Sequence, residues 1–145
     1  MNLREQKQVS IVSALSAISN EKALLLFNTI AQSEEGKCGT GIAITKLGLT
    51  CKRFYSIVTK LLDAGLINKT TGKYRLTSFG RVVFSAQEKI ESGIENYWIL
   101  DAIDSLMKCR DRIELPAEEY KTIIHTLITN NEIKKCINAL QGIFC

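Results

Sequence analysis

Proline occurs once, at Pro116, and histidine once, at His125. With nine glycines and no long polar tract, that scarcity of breakers argues against a disordered chain or a flexible linker. There is no internal repeat and no low-complexity segment. No apolar run approaches the ~20 residues needed to span a bilayer, so no membrane partner is expected. The opening MNLREQKQVS has charge but no signal-peptide apolar region beside it, which makes a cytoplasmic location the expectation.

The five cysteines, Cys38, Cys51, Cys109, Cys136 and Cys145, are odd in number and widely spaced. No C-x-x-C pair is present, and one histidine contributes little to a metal site, so neither a disulfide framework nor a zinc site is indicated. A G-x-x-x-x-G-K-[ST] loop and a G-x-S-x-G elbow are both missing, and His125 has no nucleophile to serve. Glu118 and Glu119 suit a helix start, where acids meet the positive end of the dipole. A non-enzymatic protein without cofactor or metal is expected.

What is present is a chain of 145 residues, 46% hydrophobic, long enough for one small domain with an appended helical element. Its organising stretch is Thr50 to Gly80, TCKRFYSIVTKLLDAGLINKTTGKYRLTSFG. With Thr50 as N-cap, Phe54, Val58, Leu61 and Leu62 fall on one face of a helix from Cys51 to Ala64. Lys52, Ser56, Thr59, Lys60 and Asp63 fall on the other. Gly65 sits where a left-handed residue closes a helix. Leu66 to Thr70 and Lys73 to Thr77 have strand composition, with Thr71-Gly72 as the hairpin tip. Thr77 is then a second N-cap, for a helix from Ser78.

Charge is concentrated in the same place. Ala43 to Arg81 contains Lys46, Lys52, Arg53, Lys60, Lys69, Lys73, Arg75 and Arg81 against Asp63 alone, a net +7, whereas the whole chain is +4 and the remainder therefore −3. One basic face on a mildly acidic body is the electrostatic footprint of phosphate binding.

The succession LGLT, KRFYS, KLLDAGLI and GKYRLTSFG resembles the winged helix-turn-helix of archaeal-type transcriptional regulators, with a layout similar to the MarR, ArsR and PadR groups. The likeness covers roughly residues 20 to 91. Its most specific parts are the helix exit Ala64-Gly65-Leu66-Ile67 and the wing exit Leu76-Thr77-Ser78-Phe79-Gly80. The resemblance implies sequence-specific binding of double-stranded DNA by a homodimer. Lys52, Arg53, Ser56 and Thr59 would reach bases in the major groove, with Arg53 suited to a bidentate guanine contact. Lys46 and Lys60 would meet phosphates, and Tyr55 would pack on the sugar-phosphate backbone or close the helix edge. Lys69, Lys73 and Arg75 would approach the adjoining minor groove or its phosphates, although the wing is short. Oxidation of Cys51, beside Lys52 and Arg53, would disturb such a contact; the alternative for every cysteine is a reduced, partly buried thiol.

The flanking sequence supports a mainly α fold: a winged helix-turn-helix with a small β-hairpin wing, a long dimerisation helix and a C-terminal helical pair. Residues 1 to 19 form an N-terminal helical segment, 20 to 80 the DNA-binding domain and 81 to 145 the helical extension. Leu3 to Ile18 carries helical spacing, and Ser19-Asn20 caps a buried helix from Glu21 to Gln32. Ser33 to Thr40 has loop composition. Gly41 to Leu47 is a short helix, and Leu47-Gly48-Leu49-Thr50 a tight turn whose leucines plug the junction.

From Ser78 the helical pattern continues for about thirty residues. Val83, Ile90, Ile94, Tyr97 and Leu100 lie on its apolar stripe and suit pairing with the same helix of a second subunit; an intramolecular core is the other use of such a stripe. Tyr97 and Trp98 could line a cleft for an unidentified small-molecule effector, or be core. Pro116 at a first helical position opens a helix from Ala117 to Ile128, and a Thr129 to Glu132 capping box opens the last, through Leu140. A winged-helix module that docks an acidic protein partner is the competing function, since fold alone does not settle it.

Overall fold

The computed structural model describes residues 9–33, 38–110 and 116–141. These form a mainly helical chain with a small three-stranded antiparallel sheet. The chain divides into two compact units, Met1–Ser85 and Ala86–Cys145.

In the first unit, α1 (Ile11–Ile18) begins where Ser10 and Ser13 close a reciprocal capping box. The expected start near Leu3 lies outside the described residues; Ser10, at φ −133° and ψ 157°, is the non-helical cap. Ala14 and Ala17 are buried, and α1 packs through this small-residue face on α2 (Glu21–Gln32) and on α4 (Cys51–Asp63). Asn20 caps α2 by accepting from the Lys22 amide, and Ala23, Leu26, Phe27 and Ile30 form its buried stripe.

Helix α3 (Thr40–Leu47) and α4 end in the same way. Gly48 and Gly65 take positive φ, 60° and 74°, and the next amide reaches back five residues, Leu49 to the Ile44 carbonyl and Leu66 to that of Leu61. This satisfies carbonyls that a helix end otherwise leaves without partners. Lys22 Nζ adds a bond to the Leu47 carbonyl, 3.1 Å away, placing a cation at the negative end of α3.

Strands β2 (Ile67–Thr70) and β3 (Lys73–Leu76) pair in register from Ile67 opposite Leu76 to Thr70 opposite Lys73. A third strand, β1 (Cys38–Gly39), pairs on the other side of β3, Cys38 opposite Tyr74 and Gly39 opposite Lys73. Loop composition was the expectation there. Two residues with a glycine carry no alternation, so the strand is created by the unpaired edge of β3 and not by local pattern. At the hairpin tip Thr71 and Gly72 have φ of 50° and 75°, the two left-handed residues of the turn that suits strand twist.

Helix α5 (Ser78–Glu95) starts in close contact with this hairpin. Thr77 Oγ1 donates to the Gly65 carbonyl at 2.6 Å and accepts from the Gly80 amide at 2.9 Å, while the Thr77 amide donates to the Leu66 carbonyl at 3.1 Å. A Cβ on Gly80 would collide with the Leu66 carbonyl oxygen. The first unit's core fills the space between these elements, with Leu26, Phe27, Phe54, Leu61, Leu66 and Tyr74 fully or almost fully buried. Each such side chain contributes roughly 1.5–3 kcal/mol by leaving water.

The second unit contains the rest of α5, then α6 (Tyr97–Arg110), α7 (Ala117–Leu127) and α8 (Asn131–Gln141). The single helix of about thirty residues expected from Ser78 is broken at Asn96, whose Nδ2 donates to the Ser92 carbonyl at 2.8 Å in competition with the backbone. Gly93, although glycine is a poor helix former, lies inside α5. Pro116 precedes α7 as its N-cap position. Asn130, not Thr129, caps α8: its Oδ1 accepts from the amides of Glu132 and Ile133. Ile103, Tyr120, Ile124, Ile128 and Ile133 form a separate core.

Two outcomes follow for stability, both measurable by native-state hydrogen exchange at Leu26, Phe54 and Leu61. Thr77→Ala removes a cap and a tertiary hydrogen bond and is expected to cost about 1–3 kcal/mol, with Thr77→Ser retaining most of it. Thr71→Asn, which relieves a β-branched residue from the left-handed region, is expected to gain about 1 kcal/mol.

Candidate functional site

Helix α4 is amphipathic in the strict sense. Phe54, Ile57, Val58 and Leu61 are buried, and Cys51, Lys52, Arg53, Tyr55, Ser56, Thr59 and Lys60 are exposed. Ile57 joins the apolar face expected from spacing, while Leu62 is only partly buried. Thr50 Oγ1 accepts from the Arg53 amide at 3.3 Å and fixes the first turn, which holds Lys52 and Arg53. Phe54 anchors that turn from beneath, edge-on to Tyr55 at 5.4 Å and to Tyr74 at 6.0 Å between centroids. The aromatic contact ties the outer face of α4 to the middle strand of the sheet.

All ten residues expected to contact nucleic acid, Lys46, Lys52, Arg53, Tyr55, Ser56, Thr59, Lys60, Lys69, Lys73 and Arg75, are exposed. Thr59 Oγ1 donates to the Tyr55 carbonyl at 2.8 Å, so its outward group is an acceptor as it stands. Lys69 Nζ lies 5.6 Å from the centre of the Tyr74 ring, a cation–π contact that steadies a hairpin cation. Among the described residues, no ion pair joins any of the eight bases of this region to a carboxylate. Arg75 has a second environment: with Arg81 it borders a cavity beside the end of α2 and the start of α5.

Of the cysteines, Cys51 is exposed at the first position of α4, and Cys109 and Cys136 are also exposed. Cys38 is buried in β1; desolvation pushes its thiol pKa up, partly offset by the charge of Lys46.

The stripe expected to pair two subunits is divided. Val83 packs on the first unit's core and Leu100 on the second unit's core, so both are used within the chain. Ile90, Ile94 and Tyr97 remain 60%, 67% and 59% exposed. Trp98, at 81% exposure, stands edge-on to Tyr97 and does not fill a core. Spacing identified helical apolar positions but could not say which of them another helix of the same chain would cover.

No helix among the described residues is long and apolar enough to cross a membrane. No protein-family model, no curated protein and no solved structure matches the chain. The local chemistry of α4 and the hairpin therefore stands on its own.

The Thr50 cap gives a direct check on how the basic turn is held. Thr50→Ala is expected to cost about 1 kcal/mol, with faster amide exchange confined first to Arg53 and its neighbours in the opening turn of α4.

Proposed function

We propose that the protein is a winged helix-turn-helix transcriptional regulator that binds double-stranded DNA as a homodimer. In this reading α3 and α4 are the helix-turn-helix, α4 the recognition helix, and the β2–β3 hairpin the wing. The observation that carries it is the outer face of α4 and the hairpin: eight bases to one acid across residues 43–81, without ion pairs to described carboxylates, beside the exposed hydrogen-bonding groups Ser56 and Thr59.

The chemistry divides the contacts. Lys52 and Arg53, on the capped first turn of α4, enter the major groove first, and Arg53 supplies the planar fork that matches guanine O6 and N7. Ser56 and Thr59, one and two turns along, address further base edges. Lys46 and Lys60 neutralise phosphates, with Tyr55 against the sugar-phosphate backbone. Lys69, Lys73 and Arg75 on the hairpin add affinity with little base information, since a two-residue tip is too short for deep insertion. Ile90, Ile94 and Tyr97 supply the apolar contact between subunits, setting two recognition helices about one DNA turn, ~34 Å, apart. The target is then a short inverted repeat, and regulation takes place in the cytoplasm.

Fluorescence anisotropy on a pool of duplexes at several salt concentrations tests this. Salt-sensitive binding that selects an inverted repeat is expected. Lys52→Ala/Arg53→Ala should lower affinity at least ~100-fold and reduce the salt slope by about 2 if both lost contacts are to phosphate, by less if Arg53 reads a base. Weak, unselective binding unchanged by the double variant, together with capture of an acidic protein segment on the same face, would replace this reading with a docking module. For the dimer, sedimentation velocity on Ile90→Glu/Ile94→Glu should give a monomer where the native chain gives a dimer.

A further inference from the structure

A cavity of about 290 Å³ opens in the first unit behind the hairpin, bordered by Ile30, Ala31 and Ser33 at the end of α2, Arg75 and Leu76 at the end of β3, and Arg81 and Phe84 in α5. It lies on different residues from the polar face of α4. We propose that this cavity is a binding site for a small phosphate monoester, with Arg75 and Arg81 holding the phosphate and Leu76 and Phe84, backed by the buried Ile30, packing its organic part.

The polar groups of the wall select the charge. Ser33 is already engaged, donating from Oγ to the Ile30 carbonyl at 2.7 Å. Among the described residues of the wall, that leaves two guanidinium groups, neither of them in an ion pair with a described carboxylate. Guanidinium is the side chain best matched to a phosphate's paired oxygens, and two of them balance the near-dianion that a monoester carries at neutral pH. A single carboxylate would engage only one of the two guanidinium groups in a paired contact. Ile30 is 2% exposed, and Phe84 is braced edge-on against Phe27 at 6.2 Å. This wall is part of the core and does not need to form around a ligand. The volume is near the ~300 Å³ lower end of ordinary ligand sites, which restricts the organic part to about one ring.

Arg75 would then serve two anions, a bound monoester and the phosphates of DNA, and the site sits against both strand β3 and the start of α5. The proposal does not depend on DNA binding, because its ligand contacts come from Arg81, Phe84 and the α2 end as well as from Arg75.

Isothermal titration of the full chain with phenyl phosphate at pH 7.5, paired with amide chemical-shift mapping, tests the site. Expected is one binding event with shifts centred on Ile30, Ser33, Leu76 and Phe84. Arg81→Met, which keeps the stem and removes the charge, should weaken binding at least about tenfold while circular dichroism shows an unchanged fold; Arg75→Met is the second variant and should do the same. Inorganic phosphate should bind several-fold more weakly than phenyl phosphate, and benzoate more weakly as well. Equal affinity for inorganic phosphate would overturn the organic part of the assignment, and equal affinity for benzoate its dianion part. Binding that survives Arg81→Met but falls in Lys52→Ala/Arg53→Ala, with shifts on α4, would place the phosphate on the basic outer face and overturn the site while leaving the DNA reading intact.

Discussion

Four elements of the first unit meet at the backbone of Gly65 and Leu66, and Thr77 holds them there. Its amide donates to the Leu66 carbonyl and its hydroxyl to the Gly65 carbonyl, while the same oxygen caps α5 through the Gly80 amide. The exit of α4, the entry to β2, the exit of β3 and the start of α5 are thereby fixed within a few residues. The requirements are strict: Gly65 must take positive φ to end α4, Gly80 must lack a Cβ for α5 to reach the Leu66 carbonyl, and residue 77 must both donate and accept. Only then do Leu66 and Tyr74 enter the same core as Phe54 and Leu61. The orientation of the α4 outer face relative to the hairpin follows from this junction.

Where local chemistry specifies the backbone, the structure was legible beforehand. The bounds of α2, the start of α4, the hairpin tip at Thr71-Gly72 and the turn between α3 and α4 all rest on caps, glycines and a 3.6-residue period, and all are present, while α4 ends at Asp63, one residue before the expected Ala64, which is its C-cap. Where the deciding partner is distant in sequence, the pattern was silent. Strand β1 exists because β3 has a free edge, and no property of Cys38-Gly39 announces it. Two other differences are local, where signals compete: the break at Asn96 depends on a side chain that competes with the helix backbone, while Gly93, the residue with the greater intrinsic tendency to interrupt, stays helical. Asn130 displaced Thr129 as the cap of α8 because it lies one residue nearer the first turn and asparagine is the stronger cap.

The candidate site shows the same division. That Lys52, Arg53, Lys60, Lys73 and Arg75 would be exposed follows from where Phe54, Val58, Leu61 and Tyr74 must go, since burying one face of a helix or strand turns the other outward. The apolar stripe beyond Ser78 could not be resolved in this way. Val83 and Leu100 pack on the cores of their own units, whereas Ile90, Ile94 and Tyr97 stay exposed, although all five lie on one helical stripe of the sequence. Periodicity reports that a side chain prefers to leave water; it carries no information about which surface will cover it.

This separation between scaffold and face has a physical consequence for how the chain can use its charge. The α4 core residues make the contacts that hold the fold, and the bases opposite them form no ion pairs with described carboxylates. A net +7 over residues 43–81 is self-repulsive, so it weakens the folded state slightly on its own and is relieved by any polyanion that lies across it. The fold is secured by apolar contacts and by the Thr77 junction, neither of which rests on attraction between charges, whereas the attraction of the basic face for an anion falls steeply as salt rises. Folding and binding are thus governed by different forces in one stretch, residues 43–81, which lets the outer residues be tuned for a ligand without altering the structure that presents them.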